Sequence, residues 1–146
     1  MSYKMKTADG DVEYKPYDDG LVAFAYEENG VKYAYPIPHL VDYKVSRAKL
    51  WKDSERNMNG DVRATLIGIF PKIQLQIGYT TQEEMEELTA WLDKAYFDVV
   101  WFDARTGEAN EAKYYASDYD VVLDSKSKRR YKPFSVSLVP VSKRRY

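Results

Sequence analysis

Strict alternation of apolar and polar residues is the feature that most narrows the folds open to this chain. In the segment Lys72–Ile77, the apolar side chains Ile73, Leu75 and Ile77 fall on one side of an extended backbone and the polar ones on the other. Residues 131–141 alternate in the same way. Fourteen tyrosines, five phenylalanines and three tryptophans add rings that suit a pleated, half-buried surface. The pattern predicts a mainly β fold.

A β-hairpin signal lies in the N-terminal third. Residues 21–37 contain two aromatic-rich alternating runs separated by Asn29-Gly30, a pair that accepts the positive φ angles of a tight turn. Pro36 and Pro38 lack the N–H group that a strand ladder needs. We therefore predict an N-terminal hairpin over residues 21–37 that ends at these prolines.

One stretch, residues 82–95, has the spacing of a helix instead. Its apolar stripe consists of Met85, Leu88, Leu92 and Ala95. Thr81, followed three residues later by Glu84, forms the pattern of a capping box, which satisfies free backbone groups where a helix begins. The sequence predicts one amphipathic helix on the side of the sheet.

The remaining segments complete one layered domain. Val62–Phe70 has the pattern of a strand that Pro71 ends, and Phe97–Asp103 is apolar on both faces, as in a buried central strand. No repeat or linker divides the chain, so we predict a single β-rich domain over residues 1–146. The expected architecture is a β-sandwich or barrel of about eight to ten strands with one flanking helix.

Residues 47–60 follow neither a strand period nor a helix period. The segment carries six charges and ends in Asn-Met-Asn-Gly, which is turn chemistry. We predict a long exposed loop, and loops of this length are usually functional or ordered by a partner. Trp51 inside the segment would need another surface to cover it.

Several function classes have little support in the composition. The chain has no cysteine, which removes disulfides, thiolate metal sites and thiol nucleophiles. Residues 1–10 lack the apolar core of a signal peptide, and no stretch approaches the roughly 20 apolar residues of a membrane span. We expect neither export by the general pathway nor insertion into a membrane.

Groups suited to catalysis are also few. The sequence has no Gly-rich phosphate loop, no nucleophile elbow and no His-Glu-x-x-His pair. His39 is the only histidine, and its neighbours Pro38 and Leu40 favour a loop or packing role. Asp98 and Asp103 lie on one predicted strand at positions that do not favour a shared cleft. We expect no enzyme, with no catalytic, cofactor-binding or metal-binding residues.

The charge of the chain is unevenly distributed. The net charge is −1, yet after Asp124 there are eight Lys or Arg residues and no acid. A dipolar monomer of this kind could stack head to tail or dock on an acidic neighbour, because the basic end steers the encounter. A solvated basic strand and tail is the alternative.

Two kinds of binding module stay open as alternative functions. Tyr114, Tyr115 and Tyr119 could form a platform for a cell-wall carbohydrate, although adjacent residues of a strand point to opposite faces. The segment Lys126–Lys132 interleaves one aromatic ring with five cations, which suits a nucleic acid. The acidic remainder of the chain would oppose a bound polyanion.

Five segments of the chain occur in this order: Asp53–Gly60, Ile67–Lys72, the helix capped by Thr81, Phe97–Asp103 and Tyr114–Tyr119. In the order and texture of these segments, residues 36–142 resemble small tail-associated proteins of siphophages and prophages of Gram-positive bacteria.

The resemblance implies a component of a long non-contractile tail, such as a tail tube, a distal tail protein or a baseplate adaptor. Such proteins have a tail-tube-like β-sandwich or barrel with one helix and form rings, commonly hexamers, around a channel that could pass DNA without specific binding. It further implies synthesis in the cytoplasm of a bacterial host, a final place in the virion, and neighbouring tail proteins as partners. The expected subunit-interface residues are Arg47, Trp51, Arg56, Asn57, Asn59, Arg129, Arg130, Arg144 and Arg145.

Overall fold

The computed structural model describes residues 3–56 and 62–141, with the backbone alone described for residues 50–56 and 62–67. The strands before the helix are β1 (Tyr3–Thr7), β2 (Gly10–Tyr14), β3 (Val22–Glu28), β4 (Val31–Pro36), β5 (Leu40–Arg56), β6 (Val62–Ile77) and β7 (Thr80–Thr81). The helix α1 (Gln82–Leu92) follows directly. The remaining strands are β8 (Phe97–Asp103), β9 (Glu108–Ala116), β10 (Leu123–Ser125), β11 (Arg130–Tyr131) and β12 (Phe134–Pro140).

Nine of these strands form one sheet in the order β2-β1-β4-β3-β8-β9-β12-β6-β5, and β10-β11-β7 form a small second sheet. Neighbours in the large sheet are antiparallel except for β1 and β4, which pair in parallel. The Tyr43 hydroxyl on β5 donates a hydrogen bond to the Phe102 carbonyl on β8, although three strands lie between them in the sheet order. The sheet must therefore curl to bring these two strands together. The prediction of a mainly β fold with one flanking helix is confirmed, and the sheet does not close.

Both faces of the large sheet are covered near its centre. On β3 the alternate residues Val22 and Phe24 face the main core, while Ala23 and Ala25 belong to a smaller cluster on the other face. Helix α1 contributes Met85, Leu88 and Leu92 to the main core, in agreement with the predicted stripe. The helix is therefore fixed to the sheet by burial of apolar side chains.

The helix is three residues shorter than predicted at its C-terminal end. The capping box is present, since the Thr81 side chain accepts from the Glu84 backbone N–H and the Glu84 carboxylate accepts from the Thr81 N–H. Asp93 is the C-cap, and Ala95, assigned to the stripe, is exposed. The helix stops because the chain must turn within four residues to begin the buried strand at Phe97.

The hairpin predicted for residues 21–37 forms from β3 and β4, with Glu28 opposite Val31 and Asn29-Gly30 in the turn. Both turn residues have positive φ, 53° and 79°. After Pro38 the chain turns at His39, whose Nε2 lies 2.6 Å from the Glu84 carboxylate. His39 is exposed, and its polar contact at the start of α1 joins it to a partner 45 residues away that its sequence neighbours do not reveal.

Glu84 connects this corner to the pH dependence of folding. Burial of the carboxyl would raise its pKa, but the Thr81 N–H and His39 outweigh burial and lower the pKa below its usual range. The unfolded chain, with a carboxyl pKa of about 4.3, then binds the proton more tightly than the folded chain. The stabilisation is present above that value and is lost as the pH falls through the folded pKa.

Glu84→Gln is therefore expected to lower the free energy of unfolding by about 1 kcal/mol at pH 7. The difference from the wild type should shrink as the pH falls through the pKa of Glu84, because the protonated carboxyl resembles the amide. Urea unfolding in a series of buffers from pH 7 downward measures the difference, with Glu83→Gln, exposed in the same turn, as the control. A difference that does not depend on pH would contradict this role of Glu84.

The long loop predicted for residues 47–60 is wrong up to Arg56, where the chain is still part of β5. Residues 57–60 lie outside the part of the chain that the structure describes. β5 pairs with β6 from Leu40 to Arg56, with register shifts between Leu50 and Trp51 and between Lys52 and Glu55. The second shift places two residues of β5 opposite one of β6, and residues 52–56 are all polar, so the segment shows no apolar period in sequence.

Pro71 was predicted to end a strand. It lies within β6 instead, opposite Arg47. In an extended strand the N and O atoms of one residue point to the same side. The Pro71 carbonyl accepts a hydrogen bond from the Tyr114 hydroxyl at 2.9 Å, on the side away from β5. The missing N–H therefore faces away from the β5 ladder, and proline is tolerated there.

Candidate functional site

A two-stranded arm extends from one edge of the large sheet. β12 pairs with β6 only between Ile73 and Ile77, whereas β5 follows β6 as far as Val62. Residues 46–56 of β5 and residues 62–72 of β6 pair with each other, and neither stretch has another ladder partner in the described residues. A two-stranded ribbon is at best marginally stable alone in water, so the arm is a surface that benefits from a partner.

A buried cluster fixes the base of this arm. Asp103, at the end of β8, is fully buried, with 0% of its surface exposed. Its carboxylate accepts from the Asn110 amide at 2.8 Å, the Arg105 backbone N–H at 3.0 Å and Arg47 Nη1 at 3.2 Å. Because Arg47 lies opposite Pro71 in the β5–β6 register, this cluster and the Tyr114 hydrogen bond hold both strands where the arm begins.

Arg47, which was predicted as a contact to another subunit, also pairs with Asp103 within the chain and keeps 33% of its side chain exposed. From the sequence, Asp103 at the centre of this cluster is only a candidate for a catalytic pair with Asp98, and its structural role is not indicated. Its one signal is that an acid ends an apolar central strand, where burial requires donors. Arg47 is 56 residues from Asp103 in sequence, and Asn110 lies on the neighbouring strand β9. No local sequence pattern connects either residue to Asp103.

The two edges of the large sheet differ in charge. β2 and β5 are its first and last strands, so each has an outer side without a ladder partner in the described residues. Exposed side chains on β2 include Asp11 and Glu13. On β5, Lys44 and Lys49 are exposed, and Asp42 is the acid among residues 40–49, the part of the strand whose side chains are described. Free edges of opposite charge are open to pairing with another chain.

The other predicted interface residues are divided between the arm, the small sheet and undescribed segments. The backbones of Trp51 and Arg56 lie on β5 in the arm. Arg129 is exposed in the β10–β11 turn, and Arg130 forms an ion pair with Asp124 at 2.8 Å and lies over the Tyr79 ring. The residues Asn57, Asn59, Arg144 and Arg145 lie outside the described part of the chain.

The structure does not bring together the three tyrosines suggested as a carbohydrate platform. Tyr114 is fully buried, and Tyr115 is 41% exposed. The Tyr119 ring packs on Phe134, and its hydroxyl donates to Asp93. Only one of the three rings is therefore free to stack on a ligand.

The remaining chemical candidates do not converge either. Asp98 is exposed and Asp103 is buried, at positions of β8 that point to opposite faces. The Tyr131 hydroxyl, inside the basic segment, is already bonded to Gln82. Within residues 3–56 and 62–141 no three acidic or histidine side chains are placed to hold a metal ion.

No helix within residues 3–56 and 62–141 is long and apolar enough to span a bilayer.

The architecture itself has a counterpart among solved structures. The chain shares its fold with a tail protein. The matching chain comes from the tail of an empty GTA particle with C6 symmetry, and the match has a TM-score of 0.56 at 10% identity, covering 88% of this chain and 96% of that chain. GTA denotes a gene transfer agent, a phage-like particle. Neither protein-family models nor curated proteins match the sequence.

Proposed function

We propose that this protein is a structural component of a phage-like tail, which assembles into rings through contacts between copies and with neighbouring tail proteins. The observation that carries the proposal is the shared fold over nearly the whole length of both chains, 88% of this one and 96% of the tail chain.

The surfaces of the chain favour a ring over an isolated monomer. The β5–β6 arm is a ribbon that needs cover, and the two free edges of the sheet carry opposite charge. Contacts between different surfaces of identical copies close into a ring when the rotation between copies divides a full turn. The particle that contains the matching chain has C6 symmetry, so a hexameric ring is the arrangement we propose here.

Within this proposal the protein is a siphophage or prophage virion protein made in the host cytoplasm, acting as a tail tube, distal tail protein or adaptor. It performs no catalysis and needs no cofactor. The residues proposed to contact other subunits are Trp51, Arg56, Asn57, Asn59, Arg129, Arg130, Arg144 and Arg145. Arg47, which is partly exposed, belongs to the same proposed set, and it also holds the base of the arm through Asp103.

The arm provides the direct test of assembly. Trp51→Ala combined with Arg56→Ala is expected to raise the concentration at which rings dissociate by at least about thirtyfold, because a central Trp or Arg contact contributes about 2 kcal/mol or more. Light scattering measures the mass of the assembly, and electron microscopy of negatively stained protein shows whether rings form.

Glu83→Ala combined with Glu86→Ala, exposed on helix α1 and outside both free edges of the sheet, is the matched control and should assemble as the wild type does. Far-ultraviolet circular dichroism must be unchanged in both variants, so that a loss of rings reports contacts and not folding. A wild-type protein that stays monomeric at millimolar concentration and is absent from purified tails would reject the proposed function. Rings that tolerate the arm substitutions would reject only the role of the arm.

A further inference from the structure

A groove lies between the end of helix α1 and the chain that leaves β9. One wall consists of Thr89, Leu92 and Asp93, and the other of residues 117–121. The Tyr119 hydroxyl joins the two walls by donating a hydrogen bond of 2.6 Å to Asp93. The space between them is about 670 Å³, which is large enough for the tip of a turn.

The groove is acidic and has an apolar border. Asp118 and Asp120 line it, are exposed, and form no ion pair within the part of the chain that the structure describes. The partial negative charge at the C-terminal end of α1 adds to theirs. Next to these acids Val121, Val122 and Leu123 are each between 44% and 49% exposed. Three consecutive exposed aliphatic residues indicate a surface that another molecule covers.

The same chain carries a turn with the opposite charge. Lys126 and Lys128 are exposed in the β10–β11 turn, and neither reaches an acid among the described residues. The turn is held in shape by the pairing of Ser125 with Arg130, by the Lys128 N–H donating to the Ser125 hydroxyl at 3.2 Å, and by the ion pair of Arg130 with Asp124. Two unneutralised cations are thus presented on a preorganised turn.

Backbone hydrogen bonds fix the position of this turn in its own chain. The Lys132 N–H donates to the Val122 carbonyl at 2.8 Å, and β11 also pairs with β7. Neither Lys126 nor Lys128 forms an ion pair with Asp118 or Asp120 in the part of the chain that the structure describes. The charges of the turn and of the groove are therefore available to an oppositely charged surface on another molecule.

We propose that the acidic groove of one copy receives the basic Ser125–Arg130 turn of the next copy, with Val121 and Leu123 covered in the contact. This inference rests on the proposed ring-forming function and assigns one of its interfaces. The two surfaces differ, so the contact is heterologous and can repeat around a ring. Complementary charge selects this orientation, since groove against groove or turn against turn would place like charges together.

Charge reversal tests the contact. The groove variant is Asp118→Lys with Asp120→Lys, and the turn variant is Lys126→Glu with Lys128→Glu. Each variant alone places like charges in the contact, and the concentration at which assemblies dissociate should rise at least about tenfold. The chain that carries all four substitutions has a basic groove and an acidic turn, so its assembly should return to near the wild-type level.

An equimolar mixture of the two single-surface variants should also assemble, because each supplies the charge that the other lacks. Sedimentation velocity measures the mass in every case, and circular dichroism checks the fold. Rings in the wild type together with full assembly of both variants, or no recovery in the folded four-substitution chain, would overturn this inference and leave the proposed function standing. A wild-type protein that never assembles would overturn both.

Discussion

Replacing Asp103 by alanine should lower the free energy of unfolding by about 3 kcal/mol. The substitution removes an acceptor from three donors, the Asn110 amide, the Arg105 N–H and the Arg47 guanidinium. Arg47 is 33% exposed and can turn toward water, so most of the cost comes from the donors that stay covered. Urea unfolding, followed by tryptophan fluorescence, measures the change.

Asp98→Ala on the same strand is the control, because that side chain is exposed and its loss should change stability by less than about 0.5 kcal/mol. Arg47→Ala should fall between the two, since it leaves the carboxylate with its two other donors. Both substitutions at the cluster should also weaken assembly beyond their effect on folding, because they release β5 where the arm begins. Equal stability of the Asp103 and Asp98 variants would contradict this account of the base of the arm.

Phe24→Ala should lower the free energy of unfolding by about 3 to 5 kcal/mol. Phe24 is 0% exposed, and its ring stacks on Trp91 of the helix with centroids 5.1 Å apart and planes 3° apart. The edge of Phe97 meets it at 5.1 Å, and Tyr35 stacks at 6.4 Å. Alanine leaves a cavity between sheet and helix in which these rings lose their partner.

Loss of near-ultraviolet circular dichroism, which reports the fixed setting of aromatic rings, should accompany the fall in stability. Tyr115→Ala removes an aromatic ring that is 41% exposed and should cost less than about 1 kcal/mol, so it separates the effect of burial from the effect of removing a ring. A Phe24 variant as stable as the Tyr115 variant would show that the helix is not held through this ring.

Local pattern was enough for the elements that carry their own signals. The Asn29-Gly30 turn produced the β3–β4 hairpin, the capping box began α1, and alternation placed Ile73, Leu75 and Ile77 on the buried face. In each case the deciding interaction is with the backbone a few residues away or with one common core. Such interactions leave a period or a short motif in the sequence.

Two other features, the acid cluster at the base of the arm and the course of β5, depend on contacts that leave no local pattern in the sequence. Arg47 and Asp103 are 56 residues apart, and the Tyr114 hydroxyl finds the Pro71 carbonyl across 43 residues.

The sequence by itself therefore determined the β class, the helix and the N-terminal hairpin. Only the tertiary structure decided that residues 47–56 form a strand and that Pro71 can lie within one. Pairing with β6 supplies backbone hydrogen bonds whatever the side chains are, and residues 52–56 are all polar, so they lack the alternation by which a strand is recognised.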